Sequence, residues 1–309
     1  METQTSEPRQ GYNRLFDSAF KPITEKLAGK DRPWEFGVGL ADVQFAPGAK
    51  KKAVTFEGWK TLYRTDTGEA LSVVSAKYKP VLHHDVLDGI DSRILDSDLF
   101  KGVAKDLVPM RRVALFENGA RMKAEYRFPA VRVDIGGGDL MDMTLNVTNS
   151  MDRTLSVTSL LGAFRLVCKN GMIIGIKFNG FRGLHTSGLD IGAFVKTVTT
   201  NAEVFKDKVL PMFQAMRKAV IGPKTVVALL EPIREKKTTV SKKYLDMVFD
   251  RFSQTWSAKK EGTVWGLYND FTYIGSHNAR GEFASTQMLK LAGRVAEQAM
   301  EIPAKRRAA

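Results

Sequence analysis

The chain has a single cysteine, Cys168, among 309 residues. No intramolecular disulfide can form, so a small secreted domain held by disulfides is excluded. A zinc site built from several cysteines is excluded as well. Histidines number four, too few and too scattered for an evident catalytic or metal constellation. No apolar run approaches the roughly 18 residues that span a bilayer. The start, METQTSEPRQGYNRLF, has no apolar core of a signal peptide. These absences give the expectation of a cytoplasmic protein with no membrane contact, no metal and no cofactor. Acidic residues are also short. Against 34 Asp and Glu stand 47 Lys and Arg, a net charge of +13, which favours an anionic partner, most commonly nucleic acid.

Hydrophobic residues at 43% and charged residues at 26% match an ordinary globular chain. Its length allows one large domain or two small ones. Residues 1–32 are polar and read as an N-terminal arm, with a short helix around Phe16–Leu27. Residues 33–188 read as strands. Asp66-Thr67-Gly68, Glu117-Asn118-Gly119 and Gly136-Gly137-Gly138 each separate two apolar stretches, the signal of a hairpin. Met122, Ala124, Tyr126 and Phe128 alternate with Arg121, Lys123, Glu125 and Arg127, so the strand is expected to bury one face and present the charged one to solvent. One helix, His84–Leu95, interrupts the strands, with His84 or Asp85 as its cap. From 189 to 302 the period becomes helical. The pattern predicts a long helix over Ile191–Val220, kinked at Pro211, then helices through Tyr244–Trp256, Trp265–Thr272 and Phe283–Ala299. Residues 303–309 form a basic tail. The fold class expected is α+β, an antiparallel hairpin-rich N-terminal part packed on a helical C-terminal part, as one integrated domain over 33–302. Residues 1–190 carry a net +4 and residues 191–309 a net +9, so most of the excess charge is in the helical part.

Several patterns suggest chemistry and do not complete it. The triglycine lacks the helix that a phosphate-cradling loop needs straight afterwards. Gly222-Pro223-Lys224-Thr225 matches only the tail of a nucleotide-binding loop. His83-His84-Asp85 places neighbours on opposing sides of a helix or strand, poor geometry for one ion. Glu235-Lys236-Lys237 fits a nuclease tripeptide but follows a helical run, not a strand. Cys168 lies in an apolar run and reads as a buried structural thiol.

The richest stretch is Asn149-Ser150-Met151-Asp152-Arg153, followed by Phe164-Arg165-Leu166-Val167-Cys168-Lys169-Asn170-Gly171-Met172. It resembles a bacterial phage- and plasmid-encoded family that carries an Asn-Ser-His-Asp-Gly-Ser turn and then Arg-Leu-Val-Cys-x-Asn-Gly. That family is known as a domain of unknown function. Val73-Val74-Ser75, Tyr78-x-Pro80-Val81, His185 and Trp265-Gly266-Leu267-Tyr268-Asn269-Asp270-Phe271-Thr272 extend the resemblance over roughly residues 35–280. The chain departs at Met151, where the pattern has His, and at Arg153, where it has Gly. The resemblance implies a mobile-element setting and a cytoplasmic protein. At the level of fold alone the layout is similar to single-strand annealing recombinases.

The functional expectation is a non-enzymatic protein that binds single-stranded nucleic acid, DNA before RNA, with strand annealing as its extension and homo-oligomerisation as a further expectation. Arg121, Lys123, Arg127, Arg153, Arg165, Lys169 and Arg182 are the residues expected at that interface, with Tyr63, Tyr78 and Tyr126 as stacking aromatics. The alternatives are an interaction or structural factor of a mobile element, and a metal-dependent DNA-processing enzyme.

Overall fold

The structure is a computed structural model that describes residues 20–23, 32–48, 52–97, 102–166, 170–173, 181–183, 200, 204–235, 240–259 and 262–307. It is α+β, with antiparallel sheets in the N-terminal half and six helices in the C-terminal half. The strands are β1 (Lys21–Pro22), β2 (Val38–Phe45), β3 (Val54–Arg64), β4 (Ala70–Ser75), β5 (Met110–Phe116), β6 (Arg121–Asp134), β7 (Leu140–Ser150), β8 (Val157–Arg165), β9 (Asn170–Ile173) and β10 (Phe181–Gly183). Helix α1 (His83–Asp96) separates β4 from β5. The later helices are α2 (Leu210–Lys218), α3 (Pro223–Glu235), α4 (Lys242–Lys259), α5 (Val264–His277), α6 (Gly281–Glu301) and the short α7 (Ala304–Arg307).

The main sheet runs β1-β5-β6-β7-β8-β10, with β9 also paired to β8, and a smaller sheet runs β2-β3-β4. All three expected hairpins form. Gly68 closes β3–β4 at φ +74°, Asn118 and Gly119 close β5–β6 at +54° and +93°, and the triglycine closes β6–β7 with all three residues at positive φ. Asp134 locks that last turn by accepting hydrogen bonds from the amides of Gly136 at 2.7 Å and Gly138 at 3.2 Å. Pro129 sits where the β6–β7 register shifts between Phe128 and Arg132. Proline has no N–H for a ladder, so a central strand tolerates it at such an irregularity.

Met122, Ala124, Tyr126 and Phe128 are buried, as their alternation predicts, and share a core with Val86, Leu87, Ile90 and Ile94 of α1. The same core continues through Phe205, Phe213, Leu245, Phe252 and Phe271 of the helical half. Helix α5 is its axle, with apolar side chains buried around most of its circumference.

Three local expectations are corrected. Lys21–Pro22 pairs with β5 as a strand, so no helix passes through those residues. No side chain caps α1, whose preceding residue is Leu82. The helix expected to reach Val220 ends at Lys218, because Ala219 turns to extended backbone and Val220 forms a bridge with Thr263. Just before Pro211 the helix widens into a π turn at Phe205–Val209, which accommodates the amide that proline cannot donate. Residues 191–199 of that expectation lie outside the described residues.

Candidate nucleic-acid interface

The charged side of β6 is not a solvent face. Arg121 stands opposite Ser150, and Lys123, Glu125 and Arg127 lie in cross-strand rows with Thr148, Asn146 and Thr144 of β7, the first two rows continuing to Thr158 and Leu160 of β8. Helix α6 covers part of this side. Lys123 is only 8% exposed and donates to the hydroxyl of Thr286, while Leu160 packs on Leu289. Every cation here has a built partner. Arg121 meets Asp152 at 2.5 Å, and Arg112 meets the buried Glu125 through Nε at 2.8 Å. The fully buried Asp142 receives Arg127 Nε at 2.6 Å and Arg132 Nε at 2.7 Å. Strand alternation reports which side a residue takes, not whether that side is covered. A second layer reached through a distant helix leaves no mark in the strand's own pattern.

Arg182 of β10 stands opposite Thr158, in the same row as Thr148 and Lys123. Arg127 and Arg182 therefore share a sheet with Arg121 and Lys123. Arg165 leaves this group, because it ends β8 and forms a two-pronged pair with Asp139 at 2.6 and 2.7 Å. Lys169 and Cys168 lie outside the described residues. Of the three tyrosines, Tyr126 is fully buried, with its hydroxyl donating to Asp91 at 2.9 Å, so it cannot stack on a base. Tyr78 is partly buried, and burial pushes its phenol up to about 12.

The turn at 149–153 is built as a joint. Asn149 donates to Val81 O and to His83 Nδ1, both at 2.9 Å, and His83 Nε2 bonds Gly119 O at 2.8 Å. Because Nδ1 accepts and Nε2 meets a carbonyl, His83 is the neutral Nε2–H tautomer and no metal ligand. Ser150 both donates to and accepts from the backbone of Leu155. Met151 is fully buried with Phe36, Leu62 and Val74, which docks the small sheet on the end of the large one. Arg153 sits exposed at the tip with φ +64°.

Arg165 also joins two stretches of sequence 104 residues apart. Its Nη1 donates to Asn269 Oδ1 at 3.3 Å, and its guanidinium lies 5.8 Å from the Trp265 ring. The neighbouring Asp270 is paired to Arg251 at 3.2 Å, and burial raises its carboxyl to about 6 despite that arginine. Arg251 in turn lies 3.7 Å over Tyr273, whose ring is 4.5 Å from that of His277. Burial first, and the Arg251 charge second, lower the His277 imidazole from its ordinary range. Among the described residues no group of three His, Cys, Asp or Glu could hold a metal ion, and no helix is long and apolar enough to cross a membrane.

A different set of cations is gathered by the helices. Between Asp207 and Glu231 the chain has no acid and carries Lys208, Arg217, Lys218 and Lys224; after Glu301 it has no acid and carries Lys305, Arg306 and Arg307. The fold places these two acid-free segments together. Gly222 N donates to Arg307 O at 2.8 Å, and Thr225 Oγ1 donates to Arg306 O at 3.0 Å. Arg307 Nε donates to Val220 O at 3.0 Å, and its Nη1 reaches the closing carbonyls of α6. A cation suits the negative end of a helix. Lys218, Lys224 and Arg306 stay exposed around this joint. The Gly222 amide and the Thr225 hydroxyl are spent on holding the tail, so Gly222–Thr225 is a fastening and no phosphate loop. Each segment is only mildly basic in sequence; their meeting needed the fold.

One family model matches the chain, over residues 70–303, and its description is domain of unknown function (DUF932). The chain belongs to that family. Strands β2 and β3 precede the matched residues. No curated protein and no solved structure matches the chain.

Proposed function

We propose that this chain binds single-stranded nucleic acid through charge, without chemical transformation, and that the α2–α3–α7 joint is its main contact. The supporting observation is that joint, where two acid-free segments bring Lys218, Lys224 and Arg306 together in a chain of net charge +13. Phosphate contacts by Lys and Arg release counterions and supply affinity that is independent of sequence. The cations of β6 contribute less, since each is held by a carboxylate or covered by α6. Strand annealing in a mobile-element setting is the finer form of this proposal.

The test is the anisotropy of a labelled single-stranded oligonucleotide across a salt series. Each phosphate neutralised on a single strand contributes about −0.7 to the slope of log K against log salt. Replacing Lys218, Lys224 and Arg306 together by Gln should flatten that slope by about 2 units and leave the fold intact, because all three are exposed. A variant that binds like wild type moves the interface away from this joint. A wild-type chain that holds no oligonucleotide at about 50 mM salt ends the nucleic-acid reading, since charge-driven binding is strong there.

A further inference from the structure

Six of the nine exposed large hydrophobic side chains among the described residues lie on the small sheet: Leu40, Phe45, Val54, Phe56, Trp59 and Val73. Phe45 and Val54 are the cross-strand pair next to the segment that joins β2 to β3, and Phe56 and Trp59 lie nearly parallel, with ring centres 6.4 Å apart. The inner side of this sheet is already used, with Leu62 and Val74 buried against Phe36 and Met151. Thr61 and Val73 are register partners on the opposite side, which has no covering layer among the described residues. Leu40 pairs with Leu62 and so belongs to the inner side; the other five are left in water, and monomeric proteins seldom expose large apolar patches.

The edges are open in the same way. Among the described residues nothing pairs beyond β2 or β4. Natural sheets guard such edges with lysine, proline or inward charge. Strand β4 reads Ala-Leu-Ser-Val-Val-Ser and has none of these. Strand β2 has one charge, Asp42, which is engaged by Lys60 of β3.

Charge selects the occupant. Residues 37–75 carry five Lys and Arg against four Asp and Glu, nearly neutral within a chain of +13. Two of those cations are satisfied inside the sheet, Lys60 by Asp42 and Arg64 by Asp66. The other three, Lys50, Lys51 and Lys52, fall between β2 and β3, so the strands themselves have little field to draw in a polyanion or an acidic protein. This surface is also where two copies of a strongly basic chain can approach at least electrostatic cost.

We propose that the outer face and an open edge of the β2–β4 sheet form the contact with a second copy of this chain. The contact is isologous, the same face meeting itself, the commonest way for identical chains to associate.

The full-length chain is examined by sedimentation over a concentration series in high salt, free of nucleic acid. The expected result is a mass of two or more chains at the upper end, with β2 or β4 amides exchanging hydrogen more slowly as concentration rises. Val73→Lys and Val54→Lys, each at a half-exposed position, should weaken association about tenfold or more, with unchanged circular dichroism. Should either variant misfold, the wild-type exchange series still decides. A wild-type monomer throughout overturns the proposal. So do variants that associate like wild type, or that keep their mass and lose oligonucleotide binding, which would assign this face to nucleic acid. Mass is read without nucleic acid, so failure of the functional reading leaves this test standing.

Discussion

Removing the carboxylate of Asp142 tests whether the polar side of the main sheet is a stabilising network. Asp142 is fully buried and serves two arginines, Arg127 through Oδ2 at 2.6 Å and Arg132 through Oδ1 at 2.7 Å and Oδ2 at 3.2 Å. In Asp142→Ala both guanidiniums lose their partner. The Arg132 side chain is 38% exposed and turns to water, so it adds little to the loss. The Arg127 side chain is 17% exposed and stays confined, 4.8 Å from the Phe164 ring. Breaking a buried pair by deleting one partner costs about 3–5 kcal/mol. With one arginine able to reach water, the lower end applies, about 3 kcal/mol. At about 2–4 °C per kcal/mol for a chain of this class, the melting temperature should fall by about 6–12 °C. Urea denaturation should show a lower midpoint at unchanged slope. Adding Arg127→Leu to Asp142→Ala should then restore at least about 1 kcal/mol, because the stranded charge is gone and the two sites are coupled. A loss below about 1 kcal/mol for Asp142→Ala, or a further loss on adding Arg127→Leu, would refute the argument.

Asp270 has its folded pKa raised to about 6, against about 3.9 in the unfolded chain. Between those values the unfolded state releases the proton first, so this group's contribution to stability falls as pH rises from about 4 to about 6 and is level above. Asp270→Asn should remove that slope, which denaturation midpoints taken at steps of pH will detect; parallel curves for the two proteins would contradict it. Gly119 has φ +93°, and a Cβ there would lie 2.9 Å from the Phe36 ring and 3.1 Å from Arg64 Nη1. Gly119→Ala should lower stability by about 1–3 kcal/mol through strain at positive φ; a melting temperature equal to wild type would show that the β5–β6 turn relaxes freely.

The hairpins were legible because their signals are local. Asn118-Gly119 and the triglycine need only their own backbone freedom to turn the chain, and they do so at positive φ. The buried side of β6 was legible for the same reason, since alternation with a period of two is a property of the strand itself. The fate of the other side was not. Glu125 is 2% exposed beside Arg112, and Lys123 lies against Thr286, 163 positions away. Charged residues can line a solvent face or a covered network with the same spacing.

The candidate interface divides in the same way. The sequence by itself determined a basic chain of α+β class with one cysteine, and with its excess charge in the helical part. It also held two short acid-free segments, each unremarkable where it stands. Only tertiary structure joined them, by the bonds of Arg307 and Arg306 to Val220, Gly222 and Thr225. It likewise decided that the arginines of β6 meet carboxylates while Lys123 is covered by α6, and that Phe45, Val54, Phe56, Trp59 and Val73 of the small sheet stay exposed. Local pattern encodes which way a side chain points, while what it meets depends on a partner element whose place along the chain carries no trace of the contact.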